Sequence, residues 1–485
     1  MRRATRYELA AGLSAVVAGL LVVGCPGSSD EGSCSAGACD PRPDGSATVD
    51  GGGGDGGIIK PPDCDLAKEP KDSPACVDDG VAVFVSATGS DGAAGTKAAP
   101  LRSIAKALEI AGKKRVYVCE GTYDGFELRT GTMIAGGFSC TDWKHTGVKP
   151  KVQSTTGAKP AIDLVAASVP TLLDLEVVAA SKGAPNSVAL RAVDTTATLR
   201  RVKLVAGDGE DGADGARTDF VYPLQVDLTA NDGTMAGPGA EKSVTCPGGA
   251  VTKGGKGGGA GESGAPGLPA LGGGQAGTFG LACNAGGAGV DGSDGPAQAP
   301  ADGAKTLGAV AGNTWVPRAG TPGPNGTPGQ GGGGGTGGAG GFGGGGGAGG
   351  CGGAGGGAGK GGGASIALLS LSSSVTVEGC ELVAGKAGNG GKGVGGQQGQ
   401  QIFGYLGDKF GTGCFGASGG KGGDGAAGGG GAGGLSAAVV FQGVKPTLAQ
   451  TTATPGKGGD GGQGGATPGN DGLPGEAKAE HEAPK

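Results

Sequence analysis

Short apolar segments alternate with long polar, glycine-rich segments along this chain. The run 81–85 (VAVFV) is apolar and largely β-branched, which predicts a strand. In 101–112 (LRSIAKALEIAG) the apolar residues recur at helical spacing and Gly112 is a stop signal, so a short amphipathic helix is expected. The run 114–119 (KRVYVC) predicts a second strand. Ordered structure is therefore expected to begin near residue 81.

The apolar segments repeat one another. Residues 187–207 (SVALRAVDTTATLRRVKLVAG) align without gaps on 365–385 (SIALLSLSSSVTVEGCELVAG), and 436–456 is a weaker third copy. Residues 171–180 (TLLDLEVVAA) match 198–207 in the same way. Each full copy holds two β-prone stretches around a polar turn, which predicts rungs that stack and bury their apolar residues together. Unrelated strands of a β-sandwich are the alternative.

The N-terminal elements resemble a known opening. Residues 81–123, which include VFVSATGSDGAAGTKAAP and RVYVCEGTY, resemble the start of right-handed parallel β-helix proteins of the pectin-lyase-like superfamily. This opening recurs in a domain of uncharacterised function near the start of many secreted β-helix proteins. The resemblance implies a β fold, a short right-handed parallel β-helix whose N-terminal helix caps the first rung. It carries no catalytic residue.

Glycine-rich tracts follow three of the repeats at one position, after Gly207, Gly385 and Gly456. If the rungs stack in register, these tracts leave the β-helix side by side. In 329–363, 26 of 35 residues are glycine, and Phe342 is the only large apolar side chain. Ordering such a backbone costs on the order of 35–70 kcal/mol. Burying one phenylalanine returns about 2–3 kcal/mol, so no hydrophobic core can order this tract.

Two states of the tract remain open. One is a disordered linker, the usual state of glycine-rich segments. The other is a lattice of backbone hydrogen bonds, because from Gly331 to Gly357 the sequence reads in GGX triplets. A helix with three residues per turn would place every X side chain on one edge and leave two bare edges. This polyglycine II arrangement fits a composition that resembles the PGRS domains of mycobacterial PE-PGRS proteins. Collagen is disfavoured because 329–363 contains no proline.

The N-terminus predicts export. A cationic start is followed by an apolar stretch at 10–23, which is too short for a permanent membrane span and is typical of a signal peptide. The sequence Val22-Val23-Gly24-Cys25 resembles the lipobox of bacterial lipoproteins. The resemblance implies cleavage between Gly24 and Cys25, lipidation of Cys25 and a membrane partner through that anchor. Because no Asp follows Cys25, it also implies the outer membrane. An ordinary cleaved signal is the alternative.

The expected organisation has six parts. They are the signal peptide (1–24), a flexible Gly/Ser/Asp/Pro tether (25–80), the cap and first rungs (81–207), a glycine-rich insertion (208–364), further rungs with glycine-rich loops (365–456) and a polar glycine-rich tail (457–485).

The chain contains 12 cysteines, a number that fits an oxidising compartment. Sequence neighbours Cys64/Cys76 and Cys119/Cys140 are the best candidates for local bridges. Once Cys25 is set aside, an odd number remains, so at least one thiol is free or bridges two molecules. The candidates for disulfides are Cys34, Cys39, Cys64, Cys76, Cys119, Cys140, Cys246, Cys283, Cys380 and Cys414.

Charge and composition exclude several classes. A net charge of −6 without a basic, aromatic patch gives no support for a nucleic-acid partner. Two histidines, His145 and His481, and the lack of CxxC spacing predict no metal site and no cofactor. His145 is expected to be an ordinary turn or surface residue. Aspartates followed by glycine lack the spacing of calcium loops and are expected to lie in solvated turns. They are Asp208, Asp211, Asp214, Asp291 and Asp294.

The leading functional hypothesis is a non-enzymatic surface lipoprotein with a structural or adhesive role, and no catalytic residue is assigned. The alternative is a polysaccharide-active or carbohydrate-binding β-helix protein. Enzymes of the resembled superfamily use carboxylates with Arg or Lys on one face, and Asp174, Asp194, Arg200 and Arg201 are the candidates here. Solvated outward faces explain these residues equally well. Convergence of either aspartate with either arginine in one groove would favour the enzyme.

Overall fold

The computed structural model describes residues 57–181, 183–466 and 469–484. The predictions for the signal peptide, its cleavage at Gly24, the lipidation of Cys25 and the pairing of Cys34 and Cys39 lie outside the described residues. The described part is a parallel β-helix, as predicted. Its strands form three all-parallel sheets, called A, B and C, and the chain visits them in the order A, B, C in each turn of the coil.

The strands of the coil are numbered in chain order. Sheet A contains β1 (Ala82–Val85), β2 (Arg115–Cys119), β5 (Met133–Phe138), β8 (Ser168–Leu173), β11 (Thr196–Arg200), β18 (Ser374–Glu378) and β21 (Thr447–Ala449). Sheet B contains β3 (Thr122–Asp124), β6 (Lys151–Gln153), β9 (Glu176–Val178), β12 (Lys203–Val205), β19 (Glu381–Val383) and β22 (Thr452–Thr454). Sheet C contains β4 (Phe126–Leu128), β7 (Ile162–Val165), β10 (Ser187–Val193), β17 (Ser365–Leu371), β20 (Ser436–Gln442) and β23 (Ala477–Glu482).

Smaller elements lie outside the coil strands. Two antiparallel hairpins belong to the long insertion, β13 (Lys242–Thr245) with β14 (Val251–Gly254) and β15 (Gly308–Ala311) with β16 (Thr314–Pro317). The helices are α1 (Ile104–Ala111) and α2 (Gln225–Leu228), with single 3₁₀ turns at Pro74–Cys76 and Cys283–Ala285.

Residues that are equivalent in the sequence repeat pair with each other in neighbouring strands of the coil. Ser187 of β10 pairs with Ser365 of β17, and Ser365 pairs with Ser436 of β20, as the ungapped alignment predicts. The shorter match is also in register, because Thr171 of β8 pairs with Thr198 of β11. In-register stacking aligns equivalent apolar residues into columns. The column Ile162, Leu190, Leu368 and Val439 is almost wholly buried in the interior.

Helix α1 covers the first turn of the coil, as predicted. The Ser103 side chain accepts a hydrogen bond from the Lys106 N–H at 3.2 Å, which caps the helix N-terminus. Ile104, Ala107 and Ala111 are buried against β1, β2 and β4. The helix therefore shields an end of the coil that would otherwise expose apolar residues and strand edges.

Two predicted boundaries differ from the structure. The end of the predicted tether, 57–80, is folded: Cys64 and Cys76 form a disulfide, and both are buried beside Val81. The disulfide and the burial of the residues around it stabilise this segment although its composition is polar. The predicted tail also contains β23, which pairs in parallel with β20. Its backbone bonds extend sheet C although the strand sequence, AKAEHE, is polar.

Three glycine-rich tracts leave the coil at the same corner. They begin after β12, β19 and β22 of sheet B and return into β17, β20 and β23 of sheet C. Each tract is thus an insertion into one turn of the coil. It connects a strand of sheet B to a strand of sheet C, and both strands are held in place by the strands stacked on them.

Candidate functional site

The predicted catalytic candidates are mostly turn residues. Asp174, Arg201 and Asp194 have φ values of 52°, 53° and 50°, in the left-handed region. Asp174 and Arg201 lie 27 residues apart in equivalent turns between sheets A and B. Gly379, with φ 59°, lies in the same turn of the next rung, 178 residues after Arg201. Asp tolerates this backbone better than most side chains. Asp194 lies in the separate row of turns between sheets C and A.

Asp174, Arg200 and Arg201 do converge, in one ion-pair network. The Arg201 guanidinium donates to both Asp174 oxygens, at 2.7 and 2.9 Å, and to Glu69 Oε2 at 2.6 Å. Arg200 donates to Glu378 at 2.6 Å and to Glu69 Oε1 at 3.3 Å. The hydrogen bonds to Asp174 raise the pKa of Arg201, and those to Glu378 raise the pKa of Arg200. Both guanidinium groups are therefore occupied by carboxylates of the chain itself.

The network fastens the N-terminal segment to the coil. Glu69 comes from the folded part of the predicted tether. It joins Arg200, the last residue of β11, and Arg201 in the turn that follows, across more than 130 residues of sequence. Asp174 is largely buried, and His145 Nε2 lies 3.4 Å from its Oδ2. Asp194 does not join this network and instead lines a cleft of about 550 Å³ with Ser372. Asp174 and Arg201 thus meet, as the enzyme alternative expects, but the same guanidinium also binds Glu69, so the pair fastens two segments of the chain.

A second charged site was missed from sequence. On the outward face of sheet C, Glu127, Asp163 and Arg191 are register neighbours on β4, β7 and β10. Arg191 donates to both Asp163 oxygens, at 2.9 and 2.6 Å, and these bonds raise the pKa of Arg191. Asp124 joins Glu127 and Asp163 along a cleft of about 320 Å³. The alternation of exposed and buried positions in these strands could have indicated this row.

These side chains do not assemble a metal site. Across the part of the chain that the structure describes, no group of three or more His, Cys, Asp or Glu is placed to hold a metal ion. Within those same residues, no helix has the length and apolar character needed to cross a membrane.

The glycine-rich tract is bonded on every side. Gly334 donates to the Ala265 carbonyl at 2.9 Å, and its own carbonyl accepts from Gly277 at 2.9 Å. The next two residues, Gly335 and Thr336, each bond in the same way to two other segments. Residues 329–337 thus contact six neighbours through backbone hydrogen bonds that recur every third residue. The neighbours are 255–258, 262–268, the segment at Gly277, 287–293, 344–350 and 414–420.

Close approach explains why these positions are glycine. A Cβ on Gly334 would overlap the carbonyl oxygen of Lys256, and a Cβ on Gly337 would overlap that of Gly259. Backbone carbonyls cannot move aside as a flexible side chain can. Interior positions of this lattice therefore exclude every residue with a side chain that points at a neighbouring strand.

The aspartates that precede glycines are solvent-exposed, as expected, but they lie along the tracts and not in turns, and they bond the surface of the lattice. Each accepts, through Oδ1, a backbone N–H of the neighbouring tract. The bonds are Lys386 N to Asp208 (2.8 Å), Asn389 N to Asp211 (2.6 Å), Lys392 N to Asp214 (2.7 Å), Ser418 N to Asp291 (2.9 Å) and Lys421 N to Asp294 (2.7 Å). The three-residue spacing of Asp208, Asp211 and Asp214 matches the three-residue repeat of the tract.

Buried serines join the lattice to the coil. Ser187, Ser365 and Ser436 start successive strands of sheet C and are almost wholly buried. The Ser365 hydroxyl donates to the Gly207 carbonyl at 2.6 Å and accepts from the Gly385 N–H at 2.7 Å. Ser436 repeats this arrangement one rung further along, with Gly385 and Gly456. The corner from which the tracts leave is therefore held by a serine in each rung.

Four disulfides are present among the described cysteines. Cys64–Cys76 and Cys119–Cys140 are the two local pairs expected from sequence. Two more lie in the lattice, Cys246–Cys351 and Cys283–Cys414.

The disulfide expectation for Cys380 is corrected, since Cys380 is a free, buried thiol, while Cys351, which was not a candidate, is bridged. The Cys380 sulfur accepts a hydrogen bond from the Val202 N–H at 3.2 Å. In the next turn of the coil the Thr451 hydroxyl accepts in the same way from the Cys380 N–H, at 3.3 Å. Burial raises the pKa of this thiol.

The fold defines the class, a parallel β-helix protein with hydrogen-bonded glycine-rich insertions. Residues 87–131 match the model of one family, described as a protein of unknown function (DUF1565), which is associated with parallel β-helix proteins. The match covers the segment from the end of β1 to the end of β4. No curated protein matches the chain, and no solved structure matches it.

Proposed function

We propose that this chain is a non-enzymatic, structural or adhesive lipoprotein of the bacterial cell envelope. The β-helix is its base, and the glycine-rich insertions form a stiff polyglycine II appendage. The observation that carries the proposal is the six-neighbour bonding of 329–337. A segment bonded on every side resists bending, and it presents backbone and small polar side chains rather than reactive groups.

The state of the residues that the enzyme alternative would use supports the same proposal. Asp174, Arg200 and Arg201 are held in a closed network with Glu69 and Glu378. General acid–base chemistry needs a group that can reach a substrate and change its protonation state. Carboxylates fixed by guanidinium groups, as Asp174 is, are suited to fastening one segment to another.

The anchor remains a proposal from the sequence. Lipidation of Cys25 after cleavage at Gly24 would tie the folded part to the outer membrane, because several acyl chains contribute about 0.8 kcal/mol per buried methylene. The segment between Cys25 and Gly57 would then separate the β-helix from the lipid surface.

The test uses the full chain in its source bacterium, with a clickable palmitate analogue and separation of membranes by density. We expect labelling and outer-membrane sedimentation of the natural chain, and loss of both in Cys25→Ala. Cys34→Ala is the matched control and should keep both. Equal labelling of the two variants would refute the lipid anchor.

The role of the appendage is tested separately, by attachment of intact cells to a matrix-coated surface. Gly334→Val places a branched side chain against the Lys256 carbonyl and should disrupt the lattice while Cys25 stays intact. Attachment should fall severalfold in this variant, and Gly340→Val, at the far turn of the tract, should attach normally. Unchanged attachment of Gly334→Val cells with a disrupted lattice would rule out an adhesive role of the appendage.

The cleft on sheet C supports a second candidate, a polysaccharide-active or carbohydrate-binding protein. Asp124, Glu127 and Asp163 line it on an outward face of the coil. Purified chain would be incubated with a panel of neutral and acidic polysaccharides, and new chain ends and binding would both be measured. Cleavage or binding that Asp124→Asn abolishes and Asp194→Asn retains would replace the structural proposal with this one.

A further inference from the structure

Six exposed apolar side chains lie on two adjoining segments at the flank of the lattice. Val221 is 88% exposed, Val226 71% and Leu224 70%. On the adjoining tract Tyr405, Ile402 and Leu406 are 56%, 50% and 41% exposed. These six residues are called the apolar patch. They stand out because the surrounding tracts carry mainly Gly, Ala and short polar residues.

The two segments that carry the patch are bonded directly to each other. The Ala230 N–H donates to the Tyr405 carbonyl at 3.0 Å, and Gln400 Nε2 donates to the Pro223 carbonyl at 2.7 Å. The Leu228 carbonyl accepts from Ala348 of the lattice interior at 2.9 Å. The backbone that carries the patch is therefore held by hydrogen bonds to the lattice.

We propose that the apolar patch binds the same patch of a second copy of this chain. From their exposed fractions, the six residues together present roughly 700 Å² of surface, backbone included, which is comparable with the largest apolar patch of a typical monomer. Complete burial of two such surfaces would cover at most about 1,400 Å², within the range of a stable specific interface. A two-fold axis lets one patch serve both partners, so no second surface is required.

Charge favours a second copy over a lipid surface. The apolar patch consists of uncharged side chains, so no charge has to leave water when two copies meet. The charged residues next to it in sequence are Asp227, Asp408 and Lys409, with Arg217 already paired to Asp219 at 2.5 Å. A surface for anionic lipid would need an excess of Lys and Arg, which this rim lacks.

The inference does not depend on the proposed function. A dimer joined through the lattice would form whether or not the chain carries a lipid. Loss of labelling in Cys25→Ala therefore leaves this inference standing, and loss of dimerisation leaves the anchor standing.

The test is co-purification of two differently tagged full-length copies, expressed together and extracted in mild detergent. The natural chain should bring down its second copy. Val226→Lys and Ile402→Lys, each in both copies, should lower the recovered second copy at least tenfold. Val148→Lys is the matched control, because Val148 is 52% exposed but lies on the base near sheet B. It should leave recovery unchanged. Loss of the second copy in the two patch variants, which keep Cys25, would also exclude two chains merely sharing one detergent micelle.

Folding of each variant is checked by its melting temperature, which should stay within about 2 °C because all three positions are exposed. Failure of the natural chain to recover its second copy would overturn the inference. Equal recovery by the Val226→Lys variant and the natural chain would do so too. If the patch variants instead lose binding to vesicles of phosphatidylglycerol while dimerisation is unchanged, the patch faces a membrane and the inference is wrong.

Discussion

A single hydroxyl in each rung connects the two kinds of structure in this protein. Ser187, Ser365 and Ser436 lie where the last residue of sheet B meets the first residue of sheet C, so each can reach the glycine that opens a tract. Their burial means that water cannot replace a lost bond. Serine at the start of each repeat is thus a structural requirement of the corner, although in the sequence it looks like an ordinary polar flank.

Replacing Ser365 with Ala should destabilise the protein measurably. The change leaves the Gly207 carbonyl and the Gly385 N–H without a partner in a buried place. We expect the free energy of unfolding to fall by about 1–3 kcal/mol. Urea unfolding followed by circular dichroism is the measurement. Ser374→Ala, at an exposed serine of β18, is the control and should change stability by less than about 0.5 kcal/mol. Equal effects of the two changes would contradict the role of Ser365.

At the scale of elements, the sequence predicts the coil better than it predicts what the coil supports. The ungapped repeats determine both the strands and their register, because stacked rungs need equivalent residues at equivalent positions. The network of Glu69 with Arg200 and Arg201 was not predictable, since it joins segments more than 130 residues apart. The pairing of Cys351 was missed for the same reason: its partner is brought near only by the bonding of the tracts.

The glycine tract should show slow amide exchange. In 329–337 the bonded N–H groups lie inside the lattice, so exchange requires local opening of several tracts together. Gly334→Ala should speed the exchange of this segment at least tenfold, because its Cβ would displace the Lys256 carbonyl. Gly340→Ala is the control, since its Cβ would meet only Thr412 Oγ1 at 3.8 Å. Mass spectrometry of peptic fragments is the measurement. Rapid exchange in the natural chain would show that the tract is a linker.

The last strand should respond to pH through His481. This side chain packs edge-on against Trp315, with ring centroids 5.7 Å apart, and burial lowers the pKa of His481 below its usual value. The unfolded chain therefore binds a proton more readily, and stability is lost as the pH falls through about 6.5. The melting temperature measured from pH 8 to pH 5 should fall. His481→Gln should flatten this part of the profile, and an identical profile in the variant would contradict the assignment.

At the scale of the whole molecule, the base and the appendage share one register. The offset of 178 residues that relates Ser187 to Ser365 also relates Asp208 to Lys386 and Asp214 to Lys392. The next offset, 71 residues, recurs in the bond from Asp460 N to Asn389. The coil thus determines where each tract begins, and the first triplets of the tracts keep that alignment. The appendage is a continuation of the stacking and not an independent domain.

Each disulfide should stabilise only the part of the molecule in which it lies. Cys246–Cys351 ties the β13–β14 hairpin to the lattice interior. Replacing both cysteines with Ser should open that region and speed trypsin cleavage at Lys253 and Lys256 severalfold, followed by mass spectrometry of the products. Replacing Cys64 and Cys76 with Ser loosens only the N-terminal segment and should leave Lys253 protected. Equal protection in both double variants would show that the bridge has no role in the lattice.

The three-residue repeat of the tracts limits how such a gene can change. Loss or gain of one codon inside a tract would turn every later side chain by a third of a revolution, from the free edge into a neighbouring backbone. Gain or loss of three codons leaves the phase intact and only alters length. Natural variants of this protein should therefore differ in their glycine-rich stretches by whole triplets, with the appendage growing or shrinking in steps of about 9 Å.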